Sequence, residues 1–280
     1  NMFYNCHSLI SLDLSNFDTS KVQLIDKMFY ECNLLTSIDI TNFNTSKVVS
    51  IESLFYGCHS LLNIDLSFME VSKVTNMDFL LKELKISNLD TSKVVDMSYM
   101  FFCCESLTSL NLTNFNTHSV KNMRYMFYYC ISLIYVDISS FDTSNVNDMK
   151  YMFYSCSSLK SLDISNFELY IVDMDDFLEF STSLESVKFS KKNINYAYGF
   201  AMFSECYSLK SIELNKFVFL QDIGYIFSQC FSLTSLDLSS VYTQYVYGLY
   251  FTFEKCYSLK TLNLSNWNTY KVLYLSYMFY

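Results

Sequence analysis

The 280-residue sequence contains no proline, only four glycines, one tryptophan, three histidines and a single arginine, Arg124. Each shortage removes a class of protein. Without proline and glycine in quantity the chain is neither collagen-like nor a proline-rich linker. A net charge of -9 with one arginine excludes a nucleic-acid binder, because phosphate recognition needs clustered lysine and arginine and favours the planar fork of arginine. Apolar runs such as Tyr99 to Cys104 and Met126 to Ile131 stop far short of the roughly 20 residues that cross a bilayer, so no transmembrane segment is present in the sequence. What is abundant is apolar: 51% hydrophobic residues, with 24 Tyr, 26 Phe and 10 Cys. That content excludes intrinsic disorder and demands a packed core.

A Met-Phe-x-x-Cys-x-Ser-Leu phrase recurs along the chain, anchored at Met2-Phe3, Met28-Phe29, Met100-Phe101, Met126-Phe127, Met152-Phe153, Met202-Phe203 and Met278-Phe279, with variants between them. Most anchors lie 26 residues apart, as from Met126 to Met152, and about eleven units fit the length. Within a unit, Leu9-x-x-Leu12-x-Leu14 opens the in-out alternation of a short strand. Val22, Ile25, Met28-Phe29 and Cys32 follow at i, i+3, i+7 and i+10, the stripe of a helix of about three turns. Between them Asn16-Phe17-Asp18-Thr19-Ser20 is rich in residues that cap helices and close turns. One strand and one helix cannot bury their apolar faces alone, so the units stack. The expectation is an α/β leucine-rich-repeat solenoid over residues 1-280, with a concave parallel sheet and helices on the convex side. Irregular units fall near residues 77-87 and 173-201.

The strand phrase resembles leucine-rich repeats, and the run Ser140 to Ser165 looks like the 26-residue surface-protein repeat of the BspA type. That resemblance covers essentially the whole chain. It implies a non-enzymatic surface or lipid-anchored protein of a bacterium, mycoplasma or protist that binds host, matrix or cell-surface proteins, with no catalytic residue and no cofactor. The chain begins at Asn1-Met2-Phe3-Tyr4 and ends at Tyr277-Met278-Phe279-Tyr280 in the same repeat phase, without a polar capping unit, which predicts an excerpt of a longer protein. A rival reading is a structural protein that self-associates end to end into an array or filament.

Three columns carry candidate chemistry. Outward between the inner strand residues stand Asp13, Asp39, Asp65, Asp137, Asp163, Glu213 and Asp237, with Lys85, Asn111, Lys188 and Asn263 at the remaining units. They form either a lattice of acids relieved by flanking hydroxyls such as Ser15 and Thr41, or an acidic groove for a basic partner or cations. Tyr99, Tyr125 and Tyr151 precede the Met-Phe pair and Tyr128 and Tyr154 follow it, either packed on one another or offered as a binding surface. Cys6, Cys32, Cys58, Cys104, Cys130, Cys156, Cys206, Cys230 and Cys256 share one position and read as structural free thiols, because helices about 9 to 10 Å apart exceed the bridging limit of roughly 7 Å. No C-x-x-C or H-E-x-x-H supplies a metal site, His7, His59 and His118 are isolated, and no motif builds a catalytic constellation. Asp173, Asp175, Asp176 and Glu179, followed by Lys188, Lys191 and Lys192, form a charge cluster in an irregular unit.

Overall fold

The computed structural model describes residues 1-61, 64-66, 69, 84-85, 89-191 and 195-280. The Asp65 and Lys85 side chains, Lys192, and the unit near 77-87 apart from the backbone of Leu84 and Lys85 lie outside the described residues. The chain winds as a parallel β-solenoid. Its strands are β1 (Ser11–Leu12), β2 (Ser37–Ile38), β3 (Ile64–Asp65), β4 (Leu84–Lys85), β5 (Ser109–Asn111), β6 (Tyr135–Asp137) and β7 (Ser161–Ile164). There follow β8 (Tyr170–Asp173), β9 (Ser186–Phe189), β10 (Asn195–Tyr198), β11 (Phe217–Asp222), β12 (Ser235–Asp237), β13 (Tyr242–Gly248) and β14 (Thr261–Asn263).

On one side successive coils pair in register, Ser11 with Ser37, Leu110 with Val136 and Leu162 with Val187. The inner residues Leu14, Ile40, Leu112, Ile138 and Ile164 are buried, as strand alternation requires. From β8 onward a second side becomes a four-stranded parallel sheet in the order β13-β11-β10-β8. In earlier coils the same side carries single bridges, Asp96 to Asn122 to Asp148 to Asp173. The irregular unit of residues 173-201 thus begins at the end of β8, the first strand of this second sheet, and contains its next strand, β10.

The expected helices are absent among the described residues. Residues 22-32 and their equivalents form consecutive tight turns instead. Met100 N–H donates to Met97 O (3.4 Å), Phe102 N–H to Tyr99 O (3.0 Å) and Cys104 N–H to Phe101 O (3.2 Å), each spanning three residues rather than four. The alternate amides point along the solenoid. Tyr99 donates to Arg124 O (3.0 Å), Phe101 to Met126 O (2.8 Å) and Cys103 to Tyr128 O (2.7 Å). The reason is spacing. Phe29 stacks on Phe55 at 5.4 Å and Phe127 on Phe153 at 4.9 Å, so coils repeat here at nearly the strand-to-strand distance. Neighbouring α-helices need 8 to 10 Å. Strand spacing on one side and helices on the other would splay the coils, whereas turns keep both sides in step. The apolar stripe at three- and four-residue spacing suits such turns as well as a helix, because residues that close successive turns point inward. With no helices to widen one side, the expected concave sheet loses its cause too.

These turns place two residues per coil in the left-handed region. One column contains Lys27 (φ 51), Tyr99 (60), Tyr125 (57) and Tyr151 (59); the other contains Glu31 (56), Cys103 (56), Tyr129 (59) and Ser155 (58). For residues with a Cβ this costs about 1–2 kcal/mol each. The cost is offset because those residues' own amides bond the next coil, as Tyr99 and Cys103 do. Gly57, with φ 76, fills the second column in its coil without that penalty.

Asn, Asp and Thr replace Gly and Pro at the other corners. Asp13 accepts the Ser15 amide (2.9 Å), Asp142 the Ser144 amide (3.0 Å) and Asp148 the Lys150 amide (3.0 Å), an Asx turn at each of three places in the coil. A buried threonine lies between two of them. Thr117 Oγ1 donates to Asp142 O (2.9 Å) and accepts from Asp142 N–H (2.8 Å), and Thr91, Thr143 and Thr243 bond the following coil the same way. These residues cap no helix; they join one coil to the next.

Candidate partner-binding surfaces

On the strand side, Asp13, Asp39, Asp137, Asp163 and Asp237 each spend one carboxylate oxygen closing an Asx turn. Thr41 gives Asp39 Oδ1 both its amide (3.0 Å) and its hydroxyl (2.7 Å), and Ser139 does the same for Asp137 (3.1 and 2.7 Å). Hydroxyl and amide donation holds Asp39 and Asp137 below the usual carboxylate range, with the hydroxyl as the larger cause. The row is interrupted by its own cations. Lys188 reaches Asp163 at 3.1 Å and Lys191 pairs with Glu213, whose carboxyl is lowered by that contact. A shallow depression of 610 Å³ opens beside them, lined by Ser186, Lys188, Phe189, Ser211 and Glu213, and its lining holds no cysteine or histidine.

The aromatic residues occupy the turn side. Tyr99, Tyr125 and Tyr151 stack at 4.8 and 4.9 Å, and Phe102, Tyr128 and Tyr154 stack beside them at 5.0 and 4.9 Å. The two columns meet edge to face, Tyr125 on Tyr128 at 5.3 Å and Tyr151 on Tyr154 at 5.6 Å. These rings pack on each other, while Tyr99 and the adjoining Tyr129 stay 38% and 41% exposed. Arg124 lies 4.9 Å from the Tyr125 ring centre and 5.8 Å from that of Tyr151, and Lys150 lies 5.2 Å from Tyr151.

The aromatic columns end at acids. Asp176 and Glu179 take the places of Tyr151 and Tyr154 in the next coil, with Lys150 3.2 Å from Asp175 and 3.7 Å from Asp176. Burial, then the charge of Asp176, pushes the Glu179 carboxyl up to about 8. Burial also raises Asp175 and Asp176, and it raises the phenols of Tyr151 and Tyr154 with help from Asp176 and Glu179 respectively. The fold does not bring this acid group together with Lys188 and Lys191, which sit on the strand side against Asp163 and Glu213. Among the described residues no three His, Cys, Asp or Glu side chains are placed to hold a metal ion.

The column cysteines are free. Several of their thiols point at a main-chain carbonyl of the preceding coil: Cys32 at Phe3 O (3.1 Å), Cys58 at Phe29 O (3.0 Å), Cys130 at Phe101 O (3.0 Å), Cys156 at Phe127 O (3.2 Å) and Cys230 at Phe203 O (3.2 Å). Cys206 and Cys256 repeat the contact with Leu178 O and Phe227 O. Ser181 takes the same position and donates to Phe153 O at 2.9 Å. The separation argument for unbridged thiols falls with the helices, since coils about 5 Å apart are within bridging range. Burial pushes the thiols of Cys58 and the half-buried Cys256 up to about 12 and also raises Cys32, Cys130, Cys156, Cys206 and Cys230, and neutral thiols are inert. Sequence patterns alone missed this hydrogen-bonding role, and Ser181 is the one residue that signals it.

Residues 1–86, 81–189 and 198–280 match the family model described as "Mycoplasma protein of unknown function, DUF285". No curated protein matches the sequence. Among solved structures, a leucine-rich repeat protein from Bacteroides ovatus is similar over 96% of this chain and 75% of its own, at 18% identity and a TM-score of 0.50. One from Eubacterium ventriosum covers 89% and 77% at 15% identity with a TM-score of 0.41. A leucine-rich cell surface protein from Faecalibacterium prausnitzii covers 86% and 76% at 18% identity with a TM-score of 0.33. The first of these likenesses supports a leucine-rich-repeat type of solenoid, and that fold and the mycoplasma repeat family agree with the BspA-type resemblance. No helix among the described residues is long and apolar enough to cross a membrane.

Proposed function

Because the chain belongs to the family described as Mycoplasma protein of unknown function, DUF285, and its repeat resembles BspA-type surface proteins, we propose that it is a non-enzymatic cell-surface binding module. A protein partner docks on the turn-side aromatic face of residues 99-154. One observation carries this reading. Two packed columns of tyrosine, with the chain's single arginine lying over their rings, form a pre-ordered surface of the residue types that dominate binding hot spots. Rings already stacked lose little side-chain freedom on binding. The strand-side acids favour this face less, because their oxygens close turns and Lys188 and Lys191 neutralise part of the row.

The test compares adhesion of the wild-type chain to a panel of immobilised matrix and cell-surface proteins with that of two double variants, Tyr99→Ser with Tyr129→Ser, and Asp39→Asn with Asp237→Asn. Loss in the tyrosine variant alone supports the aromatic face. Loss in the aspartate variant alone moves the site to the strand side.

A further inference from the structure

The tyrosine columns have a chemical property that follows from the solenoid itself. Successive coils are nearly translated copies, so equivalent atoms of successive rings lie about one coil spacing apart. Tyr99 and Tyr125 are 4.8 Å apart with 23° between planes, Tyr125 and Tyr151 4.9 Å with 5°, and Tyr128 and Tyr154 4.9 Å with 11°. In the first coils Tyr4, Tyr30 and Tyr56 repeat the arrangement at 4.9 and 4.8 Å. We infer that these columns are sites of oxidative cross-linking, at which a one-electron oxidant of the peroxidase class joins neighbouring tyrosines as dityrosine and ties one coil covalently to the next.

Two phenols each give one electron to the oxidant and one proton to a base. The two phenoxyl radicals couple through ring carbons ortho to oxygen. The two hydrogens displaced from those carbons return to the oxygens, restoring both aromatic rings and both hydroxyls. With hydrogen peroxide as terminal oxidant, two tyrosines and one peroxide give one dityrosine and two waters. Stacking makes the coupling step intramolecular, which at dilute protein concentration outruns any encounter between chains.

Exposure and stacking make opposite predictions, and this separates the inference from general tyrosine reactivity. Tyr270 and Tyr257 are the more exposed, at 93% and 76%. Tyr257, however, stacks on Phe231, which has no phenol to oxidise. If exposure governed, those two would react first and link separate chains.

The experiment treats the 280-residue chain, dilute, with a haem peroxidase and limiting hydrogen peroxide, then maps dityrosine by fluorescence and by mass spectrometry of a protease digest. The expected result is a product of monomer size with Tyr99–Tyr125, Tyr125–Tyr151 and Tyr128–Tyr154 links. In Tyr125→Phe, which keeps a ring in the stack, the first two links vanish and the third persists. Tyr128→Phe gives the reverse pattern and guards against a folding defect in either variant. Products linked only between chains through Tyr257 or Tyr270, no dityrosine, or column links undiminished in Tyr125→Phe would each overturn the inference.

Discussion

Replacing Thr117 by valine probes how the coils are joined. The two side chains have nearly the same shape, but valine removes a buried hydroxyl that donates to Asp142 O at 2.9 Å and accepts from Asp142 N–H at 2.8 Å. Both main-chain groups of Asp142 lose this partner, and an orphaned group costs about 1–3 kcal/mol. Because Asp142 is only partly buried and water reaches part of the site, the lower half of that range applies to each, giving about 2–4 kcal/mol in total. Thr117→Ser keeps the hydroxyl and loses one methyl, worth about 0.8 kcal/mol. Urea unfolding followed by circular dichroism should therefore rank wild type above Thr117→Ser above Thr117→Val, with the valine step the larger. A valine variant as stable as the serine variant would refute the idea that the threonine column bonds coil to coil.

Other perturbations address the turns, the thiols and the acids. Ser155→Gly should raise stability by about 0.5–1 kcal/mol, because Ser155 sits at φ 58 where Gly57 already serves in another coil; a lower urea midpoint would contradict the turn geometry. Cys156→Ser should be tolerated better than Cys156→Val, since serine at position 181 already makes the equivalent carbonyl contact. Buried Cys130, Cys156, Cys206 and Cys230 should resist a thiol reagent until the chain unfolds. Glu179 binds its proton more tightly folded than unfolded, about 8 against 4.5, so its contribution favours the fold below pH 4.5 and is lost as pH rises through about 8. At about 1.4 kcal/mol per pH unit the ceiling is about 5 kcal/mol, and solvent screening of a half-buried group cuts this to about 1–2 kcal/mol. Glu179→Gln should flatten the rise in urea midpoint between pH 8.5 and pH 5, and an unchanged pH profile would remove Glu179 as its source.

The repeat and its inner strand residues were legible because alternation at Leu12 and Leu14 has one interpretation in a stacked unit. The turn side was not. Val22, Ile25, Met28 and Cys32 satisfy helix spacing and tandem-turn spacing alike, and the choice depends on the distance between coils, which no single unit encodes. Thr19 read only as part of a helix-capping and turn-closing run, and Thr45, Thr91, Thr117 and Thr143 occupy the same place in later units. Their role needed the partner amide, which lies in the next coil. Asp173 to Lys192 looked like one charge cluster because its members are close in sequence, while the coil sends Lys188 and Lys191 to another side. The aromatic columns were legible as positions, but their end at Asp176 and Glu179 emerged only when units of unequal length were stacked.

The central claim is that the segments after each strand turn rather than form helices, so that coils rise at strand spacing on every side. Far-ultraviolet circular dichroism of the isolated chain tests it directly. The account predicts a β-rich and turn-rich spectrum without the double minimum of α-helix. A spectrum with the helix content of one three-turn helix per repeat would contradict it.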